Sequence, residues 1–266
     1  MTKAMNVTFD SNVWRPLVSP ITFPNDPDAC HLDVIRQAIT KKIVSGFLAE
    51  TVFTLEAIKK TSRKAFFGSY GAEVKSSTEV KDAGVIHTRF VIGPSQSHHA
   101  NNNAYLAKHL NDALLLDFKL LRIPRIAGVV NPDLKPSHYA AESRFSAHER
   151  QERCGEISRR IEAKGCGIAH VKSIGNNHAN GKPWIDGIKT APLTEEESII
   201  KAIAEWADGD AVSAHHAYGN DFFCTRDAAK AAGTTSVLSR PNQSWLSQDF
   251  NVVFVTPEAL AKILTS

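Results

Sequence analysis

Four short stretches near the two ends of the chain each place an Asp or a Glu where an apolar strand ends or a helix begins. They are VTFDSN with Asp10, ETVFTLEAI with Glu56, WADGDAVSAHHA with Asp210, and DFFCTRDAA with Asp227. Such positions converge at one edge of an open parallel sheet. Ionised carboxylates share one site only when cations hold them together, so convergence implies a hard divalent metal, Mg²⁺ or Mn²⁺. The pattern predicts metal-assisted hydrolysis of a phosphodiester bond.

Strands and helices alternate around these acids. This alternation predicts an α/β protein with a three-layer α/β/α arrangement around a central parallel sheet. The amino-terminal part predicts strands at 6–9 and 46–49, a helix at 28–43, and a second helix that carries Glu56. The carboxy-terminal part predicts helices over 194–207 and from Asp210, strands at 221–225 and 251–255, a short helix after Asp227 that ends at Gly233, and a final helix capped by Thr256.

The middle of the chain follows a different pattern, and we expect it to be a mixed α+β insertion. Residues 64–75 and 84–93 are typical of strands, residues 103–118 and 139–164 of helices, and residues 175–192 of a long loop. The expected organisation is therefore a split core of residues 1–60 and 194–266 with an insertion at 61–193. The insertion is a candidate for substrate binding or for oligomerisation.

Charge is distributed unevenly along the chain. Residues 59–193 contain 21 Lys and Arg against 12 Asp and Glu, whereas the two flanks contain 10 against 16. An acidic metal site beside a basic segment suits a nuclease, because carboxylates hold cations while Lys and Arg neutralise the phosphates of the substrate. A solvated surface rich in lysine is the alternative interpretation.

The rest of the composition predicts a soluble, cytoplasmic protein. No apolar run approaches the roughly 20 residues that span a bilayer, so we expect no membrane association. The first residues, MTKAMNVTFD, lead directly into the first predicted strand without the apolar segment of a secretory signal.

The order of the acidic motifs resembles that of the PIN-domain ribonucleases. Members of that family begin with a strand that ends in Asp-Thr/Ser-Asn, as in Asp10-Ser11-Asn12, and carry a Glu on the second helix, as at Glu56. A third acid opens a helix rich in small residues, as at Asp210, and a fourth follows a strand in Thr225-Arg226-Asp227. The resemblance covers about residues 1–60 and 194–266 and leaves the central segment uncovered.

The resemblance implies an endoribonuclease in which Asp10, Glu56, Asp210 and Asp227 hold Mg²⁺ or Mn²⁺ and act in catalysis. Asn12 and Thr225 are expected to support this site by hydrogen bonding rather than by binding metal. The implied partner is single-stranded or structured RNA. Because family members often pair, a homodimer is an arrangement that the resemblance leaves open.

Four alternatives remain open from the sequence. Glu50 competes with Glu56, and Asp208 competes with Asp210, because neighbouring acids suit the same local contexts. A PIN-like RNA-binding or scaffold protein, in which the acids are structural, would bind RNA without cleaving it. A phosphatase also begins with a strand followed by an aspartate, but its chemistry usually needs a second Asp where this chain has Asn12.

Overall fold

The computed structural model describes residues 4–68, 72–81, 85–94, 104–123, 134–141, 143–227 and 235–266. Within these ranges, the strands are β1 (Met5–Phe9), β2 (Val44–Ala49), β3 (Ala72–Lys81), β4 (Val85–Pro94), β5 (Lys119–Leu121), β6 (Phe222–Cys224) and β7 (Phe254–Val255). The α-helices are α1 (Ser11–Val18), α2 (Ala29–Thr40), α3 (Thr51–Thr54), α4 (Arg63–Gly68), α5 (Ala104–Leu115), α6 (Ala147–Ala163), α7 (Ile168–His178), α8 (Trp184–Thr190), α9 (Glu196–Tyr218), α10 (Arg240–Phe250) and α11 (Pro257–Thr265).

Five of these strands form one parallel sheet in the order β5-β2-β1-β6-β7. The predicted α/β class with a central parallel sheet is therefore confirmed. β1 lies at the centre, between β2 and β6, so the chain changes direction across the sheet at the strand that precedes Asp10. In sheets of this kind, ligands bind beyond the carboxyl ends of the strands at such a switch point.

Helices cover both faces of the sheet, because alternate residues of a strand point to opposite sides. In β2, Val44 and Leu48 pack in an apolar cluster with α1, α2, α5 and α11. Phe47 and Ala49 of the same strand pack in a second cluster with α6, α9 and α10. This arrangement is compatible with three α/β/α layers.

The central segment 61–193 is continuous with the sheet. β5 pairs with β2 in parallel, and α5 and α6 belong to the two apolar clusters that cover the sheet. The remaining elements of the segment are the antiparallel pair β3–β4 and the helices α4, α7 and α8. These three helices pack against the first half of α9. The boundaries at 60 and 194 therefore do not coincide with the limits of the sheet.

The loop predicted over residues 175–192 contains helical structure instead. It begins inside α7 and includes the whole of α8. Gly175 and Gly187 lie where these two helices touch, and a Cβ at either position would collide with the backbone of the facing helix. These glycines serve close packing, although in the sequence they look like loop residues.

Several local predictions differ from the structure in their limits. The strand expected at 64–75 divides into α4 and β3, and the strand expected at 251–255 is confined to Phe254–Val255. The cap at Thr256 is confirmed, since its side chain accepts a hydrogen bond from Ala259 N at 3.2 Å. The short helix expected between Asp227 and Gly233 lies outside the described residues. None of the described helices combines the length and the apolar character needed to span a bilayer.

Candidate active site

Asp10 occupies the carboxyl end of the central strand. It is the N-cap of α1, and its Oδ1 accepts a hydrogen bond from Ser11 N at 2.6 Å. Its Oδ2 accepts a second hydrogen bond from Thr225 Oγ1 at 2.6 Å. The side chain is only 5% exposed, and this burial raises the pKa of Asp10 although both hydrogen bonds lower it. Asp10 is therefore a helix cap that also faces the space beyond the sheet.

Hydrogen bonds tie the loop after β6 to the start of α1. Thr225 Oγ1 accepts a bond from Asp227 N at 3.0 Å in addition to donating to Asp10. Asn12 Oδ1 accepts a bond from Arg226 N at 3.2 Å, and Asn12 Nδ2 lies 3.4 Å from Thr225 Oγ1. Asn12 and Thr225 thus connect the start of α1 with the loop that carries Asp227.

Arg226 gives this loop a further anchor. Its Nη1 and Nη2 donate to the two carboxylate oxygens of Asp26 at 2.9 and 2.5 Å, and its Nε lies 2.7 Å from Asp28 Oδ2. A bidentate contact of this kind fixes geometry as well as charge. The loop that carries Asp227 is consequently held by α1, through Asn12, and by the residues before α2, through Asp26 and Asp28.

Glu56 lies in the turn that follows α3 and not on a helix, because α3 ends at Thr54. Its side chain faces the same pocket as Asp10. The competing acid Glu50 has a different position. Its Oε1 accepts a hydrogen bond from Ile123 N at 2.6 Å, which joins the ends of β2 and β5.

Asp208, and not Asp210, is the acid of α9 that lines the pocket. Helices expected separately over 194–207 and from Asp210 are one continuous helix of 23 residues. Successive residues of an α-helix are about 100° apart around its axis, so Asp208 and Asp210 point in nearly opposite directions. Ala204, one turn before Asp208, lines the pocket with it.

Four acidic residues, one of them Asp208 in place of the predicted Asp210, line a pocket of about 350 Å³ that also contains basic side chains. Its acids are Asp10, Glu56, Asp208 and Asp227, and its basic residues are Arg15, Lys60 and Arg63. The pocket therefore combines carboxylates from the ends of β1 and β6, from the turn after α3 and from α9. Acidic residues from the amino-terminal and the carboxy-terminal parts of the chain therefore lie in the same pocket.

The carboxylates raise one another's pKa. Burial, followed by the charge of Asp10, raises the pKa of Glu56 to about 7. Burial and the charges of Asp10 and Glu56 also raise the pKa of Asp208 well above its usual range. Each ionised group in this pocket makes ionisation of the next more costly.

Arg63 is the cation most deeply placed beside the acids. It is 5% exposed, and its guanidinium donates to the carbonyl oxygens of Ile58 and Ile200, each at 3.3 Å. Burial lowers the pKa of Arg63, whereas the charges of Glu56 and Asp208 raise it. Arg63 therefore compensates part of the negative charge, while Lys60 at the rim is exposed to solvent.

A hard divalent cation fits the donor chemistry of the pocket, since carboxylate oxygens are its preferred ligands. In the part of the chain that the structure describes, however, no three His, Cys, Asp or Glu side chains are arranged to hold one metal ion. Both oxygens of Asp10 already accept hydrogen bonds, from Ser11 and Thr225. Binding of a cation here requires the acidic side chains to close around it.

The sequence leaves Asp208 open as the competitor of Asp210, and it does not single out Arg15, Lys60 or Arg63 as pocket residues. A partial signal for Asp208 exists, because Asp208 lies two residues beyond Trp206, where the helical spacing of Ile199, Ile203 and Trp206 ends. The basic residues carry no comparable signal, since Lys and Arg are common on solvated surfaces.

Comparison of this chain with protein-family models, with curated proteins and with solved structures finds no match. The resemblance to PIN-domain nucleases therefore depends on the order of the acidic motifs in the sequence alone.

Proposed function

We propose that this protein is a divalent-metal-dependent nuclease, and more specifically an endoribonuclease of the PIN-like type. The observation that carries the proposal is the meeting of Asp10, Glu56, Asp208 and Asp227 in one pocket at the switch point of the sheet. In this cluster, burial and the neighbouring carboxylates raise the pKa values of Glu56 and Asp208. Such clusters are typical of functional sites.

Asp10, Glu56, Asp208 and Asp227 would hold Mg²⁺ or Mn²⁺. When bound, the ion lowers the pKa of a water molecule and stabilises negative charge on the phosphate. Thr225 holds the Asp10 carboxylate in a fixed orientation through its 2.6 Å hydrogen bond. Lys60 at the rim is placed to attract a phosphate group of the incoming substrate.

RNA is the proposed substrate, and the uneven charge of the chain supports this choice. The excess of Lys and Arg lies in residues 59–193, which include Lys60 and Arg63 of the pocket. Phosphate contacts from such residues fix the position of a nucleic acid without reading its sequence. A cytoplasmic location and a homodimer stay predictions.

The second candidate is a PIN-like protein that binds RNA without cutting it. It is favoured by the absence, among the described residues, of three acids arranged around one metal position. It is also favoured by Arg63, which compensates Glu56 and Asp208 in the manner of a structural ion cluster.

Cleavage of end-labelled single-stranded RNA in Mn²⁺, in Mg²⁺ and in EDTA tests the proposal. The wild type is compared with Asp10→Asn and Asp227→Asn, after circular dichroism has shown that both variants are folded. We expect cutting that requires the metal and that both variants lose. RNA binding without cutting in either metal would favour the non-catalytic candidate.

A further inference from the structure

A second pocket, of about 250 Å³, lies between the first turns of α6, the last residues of α9 and the residue that follows β5. Arg122, Arg150, Gln151 and Tyr218 form its polar lining. Arg122 is exposed and Arg150 is partly exposed, whereas the side chain of Tyr218 is buried. The pocket thus presents two guanidinium groups to solvent against a fixed wall.

Aromatic rings orient both guanidinium groups. The Arg122 guanidinium lies over the ring of Tyr139 at 3.8 Å from its centroid, and that of Arg150 lies 4.9 Å from the centroid of Tyr218. Tyr218 Oη also accepts a hydrogen bond from Arg122 N at 3.2 Å. Nη1 of Arg150 donates to the carbonyl oxygen of Phe145 at 2.8 Å, so its other nitrogens are the ones available to an anion. The edge of a stacked guanidinium matches the oxygens of a phosphate.

Neither guanidinium forms an ion pair with a carboxylate of the described residues. Other arginines of the same region do, since Arg144 pairs with Asp221, and Arg160 lies 3.8 Å from Asp249. Arg122 and Arg150 are therefore not paired with a carboxylate within the described parts of the chain, and the charges of Glu50 and Arg122 act on the pKa of Tyr139 in opposite directions. An anion is the chemistry that complements such a pocket.

This second pocket lies at a short distance from the acidic pocket, measured along the sheet edge and along α9. Arg122 follows β5, and Leu121 is in register with Ala49 of β2. β5 lies two strands from β1, whose end carries Asp10, so the separation along the sheet edge is about 10 Å. Along α9, Tyr218 is ten residues after Asp208, which corresponds to about 15 Å.

We infer that Arg122 and Arg150 bind a backbone phosphate of a single-stranded polynucleotide whose scissile phosphate lies in the acidic pocket. This inference rests on the proposed function. A second phosphate contact 10–15 Å from the acids, by the estimate above, selects an extended chain over a dinucleotide and fixes its direction across the sheet edge. Glu50, at the end of the intervening β2, directs its Oε1 to the backbone of Ile123.

The test measures binding separately from cleavage. Fluorescence anisotropy of a labelled single-stranded RNA in EDTA gives the dissociation constant at several salt concentrations. The variants are Arg122→Gln, Arg150→Gln and the charge-conserving Arg122→Lys. Arg160→Gln, on α6 like Arg150 but beside Asp249, is the matched control. Thermal melting establishes that each variant is folded.

We expect Arg122→Gln and Arg150→Gln each to weaken binding by about three- to fivefold, the weight of one exposed ion pair. Each should also reduce the slope of log K against log salt by about 0.7, the value for one phosphate contact on a single strand. Arg122→Lys should retain most of the binding, and Arg160→Gln should match the wild type. Unchanged affinity and slope in folded Arg122→Gln and Arg150→Gln would overturn the inference.

Failure of this inference is distinguishable from failure of the proposed function. If the wild type cleaves RNA while the two Gln variants bind normally, only the phosphate subsite is refuted. If the wild type binds RNA but cleaves it in no metal, the nuclease is refuted and the variants still report on the subsite. A wild type that neither binds nor cleaves RNA refutes both.

Discussion

Replacing Glu56 by Gln should stabilise the metal-free protein at alkaline pH. Gln keeps the shape of the side chain and removes a charge that burial and Asp10 make costly. A pKa that rises from 4.5 to about 7 on folding corresponds to about 3 kcal/mol, at about 1.4 kcal/mol per unit. This is a large fraction of the roughly 5–15 kcal/mol by which a typical domain is stable.

The sign follows from proton binding. Between pH 4.5 and 7 the folded protein retains a proton on Glu56 that the unfolded chain has already released, so stability falls as pH rises through this window. Below pH 4.5 both states carry the proton and the penalty is absent, whereas above pH 7 the penalty is complete. The stability difference between Glu56→Gln and the wild type should therefore grow by about 3 kcal/mol from acid to alkaline pH.

The assay is urea unfolding in EDTA, followed by circular dichroism at about pH 4 and pH 8. Glu258→Gln is the control, because Glu258 is exposed and Lys262 lowers its pKa, so its removal should not stabilise the protein at alkaline pH. Mg²⁺ should stabilise the wild type more than Glu56→Gln and so reduce the difference. A difference that is equal at both pH values, or a variant less stable at pH 8, would show that the Glu56 carboxylate does not destabilise the fold when ionised.

Three further predictions concern neighbouring groups. Thr225→Val removes the hydrogen bond to Asp10 and should slow RNA cleavage by about 10- to 100-fold with little change in RNA binding; equal cleavage rates would contradict this. Arg63→Met leaves the pocket carboxylates without their buried cation and should lower the free energy of unfolding at pH 8 by about 3 kcal/mol in urea titrations, so an unchanged midpoint would count against it. Burial lowers the pKa of His215 to about 3 and of His216 to about 4, so stability should be fully present above pH 6.5 and should decline as pH falls below it. His216→Gln should make this decline shallower in unfolding measured from pH 7 to 4, and an unaltered slope would exclude a contribution from His216.

The parts of the fold that could be predicted are those encoded in local sequence. The strand that ends at Asp10 and the strand that precedes Thr225 are apolar runs followed by polar residues, and both strands exist as β1 and β6. Alternation with helices then indicated a parallel sheet, whose carboxyl edge brings Asp10 and Asp227 to one pocket.

The choice between Asp208 and Asp210 depended on tertiary packing that the sequence conceals. Gly209 between two aspartates favours a helix break in local terms. In the structure, Gly209 lies against Gly167, and a Cβ on Gly209 would lie 3.2 Å from the Gly167 Cα. The glycine permits close packing, and the helix continues through it. Asp208 rather than Asp210 therefore faces Asp10, Glu56 and Asp227.

The sheet edge was unpredictable for a different reason. β5 contains only Lys119–Leu121, too short for a periodic pattern, and its partner β2 lies about 70 residues earlier in the chain. Pairing of such short strands is decided by burial of Leu120 and Leu121 on opposite faces, which only the assembled layers provide. The segment 61–193 consequently looked independent of the core.

Binding of Mn²⁺, followed by electron paramagnetic resonance of the free ion, shows whether the acidic pocket holds a divalent metal. The titration compares the wild type with Asp208→Asn and Asp210→Asn, which are two residues apart on α9 but face nearly opposite sides of it. We expect the wild type and Asp210→Asn to bind Mn²⁺, and Asp208→Asn to bind it at least about tenfold more weakly. Equal binding by all three proteins, or none by the wild type, would contradict a metal site built on Asp10, Glu56, Asp208 and Asp227.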